Sequence, residues 1–303
     1  MRNINARILL LFIQLILAAS AAEACACGCG VFQVGTRWMM VTSPGPRLFL
    51  QYAYLDQSQN WSNTGQVSPD LNDDRLIRTS FFTLGGQYMF DRSWGVMASV
   101  PVWDRIWQGI GDDGTSTSVR HQAVGDVKLM GMYTGFSEDM STGIMAGLKL
   151  PTGPIAQTVL DRDTQIGTGT TDALFTAYQM GQETGWGWFV QGSANLPLYE
   201  RDGYRPGADF NCAAGIHFDN LFPSAGIAPL ASLIGSFRGS DSGPAADPAN
   251  TGYSRIFFSP GVEMNLQNGF RLDAEVGIPL YSNIRGYQLI SPLLLNTSLS
   301  YQF

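Results

Sequence analysis

Three cysteines stand at alternate positions near the start of the chain, at Cys25, Cys27 and Cys29. Alternate side chains of an extended segment lie on one face, about 6.6 Å apart at a rise of roughly 3.3 Å per residue. Thiolates grouped in this way are soft ligands that suit Cu(I) or Zn(II). The spacing matches neither the paired Cys-x-x-Cys zinc patterns nor the Cys-x-x-Cys-His haem motif. Oxidation of these thiols and lipidation of Cys25 are therefore open alternatives to metal binding.

The two histidines, His121 and His217, do not lie in a recognisable catalytic motif. Neither has a serine-centred signature around it, although a nucleophile needs a neighbouring base for covalent catalysis. The sequence therefore predicts no catalytic residue and a protein that is not an enzyme. The one enzymatic alternative is an outer-membrane hydrolase that uses His121 with the acidic pair Asp112 and Asp113.

The N-terminus predicts export. Arg2 and Arg7 precede an apolar run over 8–19 and then small residues, which is the layout of a secretory signal peptide over 1–24. No later segment offers the roughly 20 apolar residues of a membrane helix. If the exported chain lies in a membrane it must be a closed β-barrel, because only helices and closed barrels satisfy every backbone hydrogen bond in lipid.

Composition supports the same class. Charged residues make up 14 % of the chain, against roughly 25 % in soluble domains. The formal net charge of −7, without a basic cluster, excludes a nucleic-acid-binding protein.

Alternation of apolar and polar residues predicts about twelve antiparallel strands, joined alternately by short and long connections. They are expected at 47–56, 76–90, 94–104, 123–136, 142–151, 169–180, 185–198, 207–219, 226–238, 253–266, 269–281 and 287–303. The last strand ends on Phe303 and resembles the terminal signal that the barrel-insertion machinery of Gram-negative bacteria reads. The predicted fold is all-β, a transmembrane antiparallel β-barrel of about 12 strands with both termini in the periplasm.

Three regions follow from this prediction. Residues 1–24 form the signal peptide, 25–45 a periplasmic segment or a plug in the lumen, and 46–303 a barrel in contact with outer-membrane lipid and lipopolysaccharide. Aromatic residues near strand ends predict interfacial belts. The belt at the outer rim is expected to contain Tyr54, Trp103, Tyr253 and Tyr287.

Charged faces of the strands are expected to point into the lumen, because Arg or Lys facing lipid at mid-depth costs roughly 2–4 kcal/mol. Opposite charges on neighbouring strands are expected to pair. The predicted pore-lining residues are Asp126, Lys128, Lys149, His217, Arg255, Glu263, Arg271, Asp273 and Glu275.

Methionines recur on inward faces of four consecutive predicted strands. They lie in the half of the barrel nearer the short turns, close to the expected position of the N-terminal cysteines. Thioethers and thiolates together suit Cu(I), whereas flexible methionines also pack well against an irregular partner. These residues are Met89, Met97, Met130, Met132 and Met145.

Five short phrases occur in the order found in a known barrel family. They are Val-Gly-Asp-Val-Lys-Leu at 124–129, Gly-Leu-Lys-Leu-Pro-Thr-Gly at 147–153, Gly-Thr-Gly-Thr-Thr-Asp at 167–172, Tyr-Arg-Pro-Gly at 204–207 and Ser-Pro-Gly-Val at 259–262. The set resembles outer-membrane transporters of the phenol meta-degradation pathway and, more distantly, long-chain fatty-acid transporter channels. That resemblance implies passage of a small, hydrophobic or aromatic solute. The cysteine-rich opening is not part of the family pattern.

The predicted function is therefore an outer-membrane channel or transporter for a small solute. The alternative is a non-transporting barrel whose thiol-rich N-terminus binds a soft metal or docks a periplasmic redox partner.

Overall fold

A computed structural model describes residues 40–41, 43–110, 114–157, 160–219 and 226–303 of the chain. These residues form fifteen strands, of which twelve build a closed antiparallel ring. The strands are β1 (Gly45–Gln57), β2 (Gln59–Asn63), β3 (Gly65–Gln66), β4 (Asp74–Met89), β5 (Trp94–Ile110), β6 (Ser116–Val124), β7 (Val127–Tyr133), β8 (Thr142–Leu150), β9 (Asp172–Glu183), β10 (Trp186–Pro197), β11 (Asp209–His217), β12 (Ile227–Arg238), β13 (Tyr253–Asn265), β14 (Phe270–Ile290) and β15 (Leu294–Gln302).

The ring consists of β1, β4, β5 and all the strands from β7 to β15, in that order. Each of these strands pairs with the next, and β15 pairs with β1 again. The contact between first and last strand extends from Arg47 opposite Gln302 to Leu55 opposite Leu294. Closure leaves no free edge in the ring, so every barrel strand has hydrogen-bonded neighbours on both sides. The predicted twelve-stranded all-β barrel is confirmed.

Two strand predictions are wrong in detail. The last strand begins at Leu294, and most of the predicted segment before it belongs to β14, whose far end pairs with β2. The alternation continues through this extension, so the pattern alone does not show where the chain turns back. Residues 105–122, predicted as a loop, instead continue β5 to Ile110 and return as β6, which pairs with it.

The connections separate into two ends of the barrel. The short connections 90–93, 184–185 and 266–269 lie at one end, which we call the short-turn rim. The connections 151–171, 198–208 and 239–252 lie at the other end, the long-loop rim. The start of β1 lies opposite the end of β4 and of β15, so it is at the short-turn rim. The periplasmic location of this rim stays a prediction.

The outward faces of the strands form an apolar band. Leu84 in the middle of β4 is 61 % exposed, and its neighbours on β1 and β5, Leu50 and Val100, are also exposed. A surface of this kind suits lipid, because exposed apolar area is unfavourable in water. No helix within the described residues is long and apolar enough to cross a membrane.

Aromatic side chains ring the short-turn rim on the outside, as predicted. Trp94 contacts Tyr133 at 4.7 Å between ring centroids, and Tyr301 contacts Phe303 at 4.6 Å. The prediction for the opposite rim is wrong for two residues. Trp103 faces inward and packs on Phe81, and Tyr253 is buried in the interior. Both stand at the alternate positions of their strands whose side chains face inward.

Inward-facing apolar side chains pack across the interior. They come from eight strands of the ring and are joined by Met40, which precedes β1. The cluster consists of Met40, Ala53, Leu55, Phe81, Tyr178, Phe189, Ala213, Ile234, Phe257 and Leu294. The interior is thus packed where these side chains meet, and Phe257 in particular is fully buried.

The short stretch 40–41 lies among these inward-facing residues. The Val41 amide donates to the Tyr178 hydroxyl at 3.3 Å, and the Arg47 guanidinium donates to the Met40 carbonyl at 3.2 Å. Most of the predicted segment 25–45, with Cys25, Cys27 and Cys29, lies outside the described residues. A plug formed by that segment therefore stays a prediction, as does the signal peptide.

Candidate functional site

A buried ion-pair network lies where β7, β8 and β9 approach the long-loop rim. The Lys149 ammonium is 2.6 Å from Asp172 Oδ2 and 3.4 Å from Asp126 Oδ2. All three side chains are at most 7 % exposed. Buried charges of this kind require partners, since an unpaired charge in the interior is strongly unfavourable.

Strand register brings the three residues together. Lys149 lies directly opposite Asp172 in the β8–β9 pair, and Asp126 lies in the two-residue break between β6 and β7. Asp126 and Lys149 were predicted to be on the inner face, and the structure places both there. Asp172 was not predicted, although it ends the Gly-Thr-Gly-Thr-Thr-Asp phrase.

The network also fastens the connection 151–171, which folds inward. Asp126 accepts hydrogen bonds from the Gly153 amide at 2.9 Å and from the Thr168 amide at 3.0 Å. The Thr168 hydroxyl donates to Asp126 at 2.8 Å as well. Both ends of the connection are therefore held by one carboxylate, and we call this segment the inner loop.

A second contact holds the middle of the inner loop against β5. Arg105, one of the largest fully buried side chains, donates to the carbonyls of Thr164 and Gln165 and to the Thr79 hydroxyl. Leu160 packs on Ile77 and Trp107 of the barrel wall. The inner loop is thus part of the packed interior.

The base of the inner loop requires two glycines in contact. A Cβ atom added at Gly167 would lie 2.1 Å from the Gly153 carbonyl oxygen. Gly167→Ala should therefore displace the loop, at a cost of about 1–3 kcal/mol for overpacking. Trypsin cleavage after Arg162, a loop residue, is expected to become faster. Gly65→Ala is the control, because nothing lies within 4 Å of its Cβ position; equal cleavage of the two variants would contradict the prediction.

A cavity of about 180 Å³ lies beneath the inner loop. Part of its lining is apolar and aromatic, with Phe49, Phe81, Trp103, Leu174 and Ile166. The lining also has charged and polar side chains, which are Asp126, Lys128, Lys149, Arg162, Asp163, Asp172, Asn195, Asp209 and Arg238. The cavity is therefore amphipathic.

Arg162 extends from the inner loop over the Tyr204 ring, at 4.8 Å from the ring centroid. Burial lowers the pKa of this guanidinium from its ordinary value. The Tyr204 hydroxyl donates to Asp241 at 2.6 Å, and Asp241 in turn accepts from the Gly207 amide and pairs with Arg238. Loop 198–208 and loop 239–252 are thereby joined beside the cavity.

Four of the other predicted lumen residues, Glu263, Arg271, Asp273 and Glu275, form a second charged group towards the short-turn rim. Arg271 on β14 pairs with Glu263 on β13 at 2.7 Å and with Asp273 at 3.1 Å. The Ser259 hydroxyl donates to Glu275 at 3.0 Å. The predicted pairing of opposite charges on neighbouring strands is confirmed here and at Lys149.

Arg255 and His217 lie apart from both charged groups. Arg255 is buried over the Phe257 ring and donates to the Ser291 carbonyl, whereas His217 is buried at the end of β11 beside Gln182. Lys128 lines the cavity. The nine predicted residues thus all lie on the inner face without forming one ring, and their role in conduction stays a prediction.

Comparison with known proteins gave matches only in structure: no family model and no curated protein matches the sequence. The COG4313 outer membrane channel from Pseudomonas putida F1 is similar with a TM-score of 0.68 and 15 % identity, over 89 % of this chain and 100 % of that one. The TodX deltaS2S3 mutant monoaromatic hydrocarbon channel is similar with a TM-score of 0.50 and 11 % identity, over 93 % and 96 %.

The chain has the fold of an outer-membrane channel. The resemblance inferred from the five phrases is thus confirmed at the level of the fold, and the apolar outer band of the barrel lies in the outer membrane. Both structural neighbours are described as channels, which is consistent with the prediction that the chain is not an enzyme.

Sequence reasoning missed several residues of the barrel interior. Asp209 and Arg238 lie directly opposite each other on β11 and β12 and line the cavity. Arg105 holds the inner loop from a stretch that was predicted to be a loop itself. Asp209 and Arg238 stand at alternate positions that the strand pattern predicts to face inward, so they could have been identified from the sequence. No local sequence pattern indicates that Arg105 binds the inner loop.

Proposed function

We propose that the channel passes a small aromatic solute that carries one polar or charged group. The observation that carries this proposal is the amphipathic cavity beneath the inner loop, whose lining combines aromatic and charged side chains. Selectivity in such a passage comes from its diameter and from the groups that line it.

The size of the cavity suits one aromatic ring. Its volume of about 180 Å³ compares with roughly 150 Å³ for an apolar cavity that binds benzene. Phe81 and Trp103 pack edge to face at 4.7 Å, and aromatic rings favour such edge and offset contacts. A solute ring is expected to lie against this pair.

The charged residues of the lining supply a partner for the polar group of the solute. Lys128, Arg162 and Arg238 offer donors to the cavity, and Asp163 and Asp209 offer acceptors. The TodX neighbour is described as a monoaromatic hydrocarbon channel. Its name supports an aromatic solute, whereas the charged side chains in the cavity of this barrel favour one with a polar substituent.

Uptake by proteoliposomes that contain the full-length channel tests the proposal. The probes are radiolabelled benzoate and acetate, which share a carboxylate and differ in the ring. We expect benzoate to enter faster than acetate, and Thr83→Phe, which fills the cavity, to slow benzoate about tenfold because pore diameter controls passage.

Thr297→Phe is the matched control, because Thr297 is on the outward face of β15 and does not line the cavity. This variant should keep the uptake of the unmodified channel. Benzoate entry no faster than into protein-free liposomes would refute the proposal. Equal entry of benzoate and acetate would refute the aromatic preference.

A further inference from the structure

Six methionines form one buried cluster beside the short-turn rim. They are carried by β4, β5, β7 and β8 and by the connection between β7 and β8, and Val41, Phe49 and Leu174 pack against them. We call this group the methionine cluster; its members are Met89, Met97, Met130, Met132, Met140 and Met145.

Strand register places the sulfur-bearing side chains in direct opposition. Met97 is opposite Met130 in the β5–β7 pair, and Met132 is opposite Met145 in the β7–β8 pair. Side chains at such positions have Cβ atoms about 4.5–5.5 Å apart. Each thioether is therefore within reach of another across the strand boundary.

A glycine lets a fifth thioether join this group. Gly95 on β5 is flanked by Met89 on β4 and Met132 on β7. A Cβ atom at Gly95 would lie 2.2 Å from Met89 Sδ, so the sulfur of Met89 occupies the space over the glycine. Met89 is thereby directed along the row towards Met132.

The cluster is connected to the cavity beneath the inner loop. Met97 and Met130 line that cavity as well as belonging to the cluster. The Gln87 amide donates to Met97 Sδ at 3.5 Å, which holds this sulfur towards the interior. A small ion in the cavity thus has thioethers within reach.

Packing alone does not require sulfur at these positions, since leucine fills a similar volume. Thioethers are soft, uncharged ligands that favour Cu(I) over hard cations such as Mg²⁺ and Ca²⁺. Among the residues that the structure describes, no group of three His, Cys, Asp or Glu could hold a metal ion. A metal in this part of the barrel would therefore be held by methionine.

We propose that the methionine cluster binds a soft monovalent cation, Cu(I). Met97, Met130 and Met132 provide the central ligands, and Met89 and Met145 extend the site along the row. This Cu(I) site shares only Met97 and Met130 with the cavity proposed for the organic solute. Its other ligands lie outside that cavity, so Cu(I) binding and solute passage are separate proposals.

Copper binding is measured on the full-length channel in detergent, with Cys25, Cys27, Cys29 and Cys212 replaced by serine so that thiols do not contribute. Cu(I) is titrated against a chromophoric chelator. We expect one tightly bound Cu(I) per barrel, with sulfur ligands in its X-ray absorption spectrum.

Met132→Leu with Met145→Leu, two members of the cluster that do not line the cavity, should weaken Cu(I) binding at least tenfold while benzoate uptake is kept. The control is Met264→Leu, which lies outside the cluster on the outward parity of β13. If the double variant does not fold, as judged by heat-modifiable gel migration, the single variants Met132→Leu and Met145→Leu are used in its place. No uptake of Cu(I) in the cysteine-free channel, or uptake unaffected by the leucine variants, would overturn the proposal.

Discussion

Replacing Lys149 by methionine is expected to cause a large loss of stability of the barrel. The change leaves the Asp126 and Asp172 carboxylates buried without their cation, at 7 % and 1 % exposure. Removing one partner of a buried ion pair costs about 3–5 kcal/mol. Urea unfolding of the barrel in lipid vesicles gives the free energy of unfolding. The inner loop loses part of its anchor as well, so single-channel conductance is expected to rise.

Two further variants decide whether lost charge compensation is the cause. Adding Asp126→Asn and Asp172→Asn to Lys149→Met should restore much of the stability, since no uncompensated charge is left. Arg120→Ala breaks the exposed pair between Arg120 and Asp104 and should cost less than about 1 kcal/mol. A Lys149→Met variant as stable as Arg120→Ala would contradict the role of the network.

Leu84→Arg is expected to be the second large effect. Leu84 lies in the middle of β4 on the outward face and is 61 % exposed. An arginine facing lipid near the bilayer midplane costs roughly 2–4 kcal/mol. The same vesicle unfolding experiment measures this loss, and it should appear also as a lower yield of folded barrel.

Val96→Arg is the matched control for depth. Val96 is outward on the neighbouring strand β5, two residues from its end at the short-turn rim. Near the interface the cost should fall to about 0–1 kcal/mol, because the guanidinium can reach the polar headgroups. Equal losses for the two arginines would show that the apolar band does not face lipid as described.

The alternation of residue types was sufficient to predict the barrel and the facing of its strands. Arg255, Glu263 and Asp273 are buried on the inner face because a charge has no favourable place on the lipid side. Pairing between neighbouring strands followed from the same reasoning, as Arg271 and Glu263 show. These features depend on local periodicity, which a single sequence contains.

The inner loop and the strand ends were not predictable in this way. Asp126 binds Gly153 and Thr168 across 27 and 42 residues of chain, and no local pattern indicates that the connection folds inward. The far part of β14 has the same alternation as β15, which follows it. The start of β15 at Leu294 could therefore not be predicted from the pattern. Trp103 was assigned to the rim because β5 was predicted to end near it.

The sequence also leaves the cysteine-rich N-terminus unexplained. Cys25, Cys27 and Cys29 lie outside the described residues, so metal binding, oxidation and docking of a redox partner remain predictions for them. Cys212 is on the outward parity of β11, between the buried inward residues Asn211 and Ala213. That position directs its side chain away from the interior of the barrel.

Ring closure between β1 and β15 has a consequence for biogenesis. Within the ring, the strand that is synthesised first, β1, must pair with the strand that is synthesised last, β15, from Arg47 opposite Gln302 to Leu55 opposite Leu294. Until β15 is present, a nascent or truncated chain exposes the unpaired edges of β1 and β14, and such edges invite aggregation. The chain must therefore be kept from self-association until the nine-residue β15 has been delivered, which makes ring assembly all-or-none with respect to that strand.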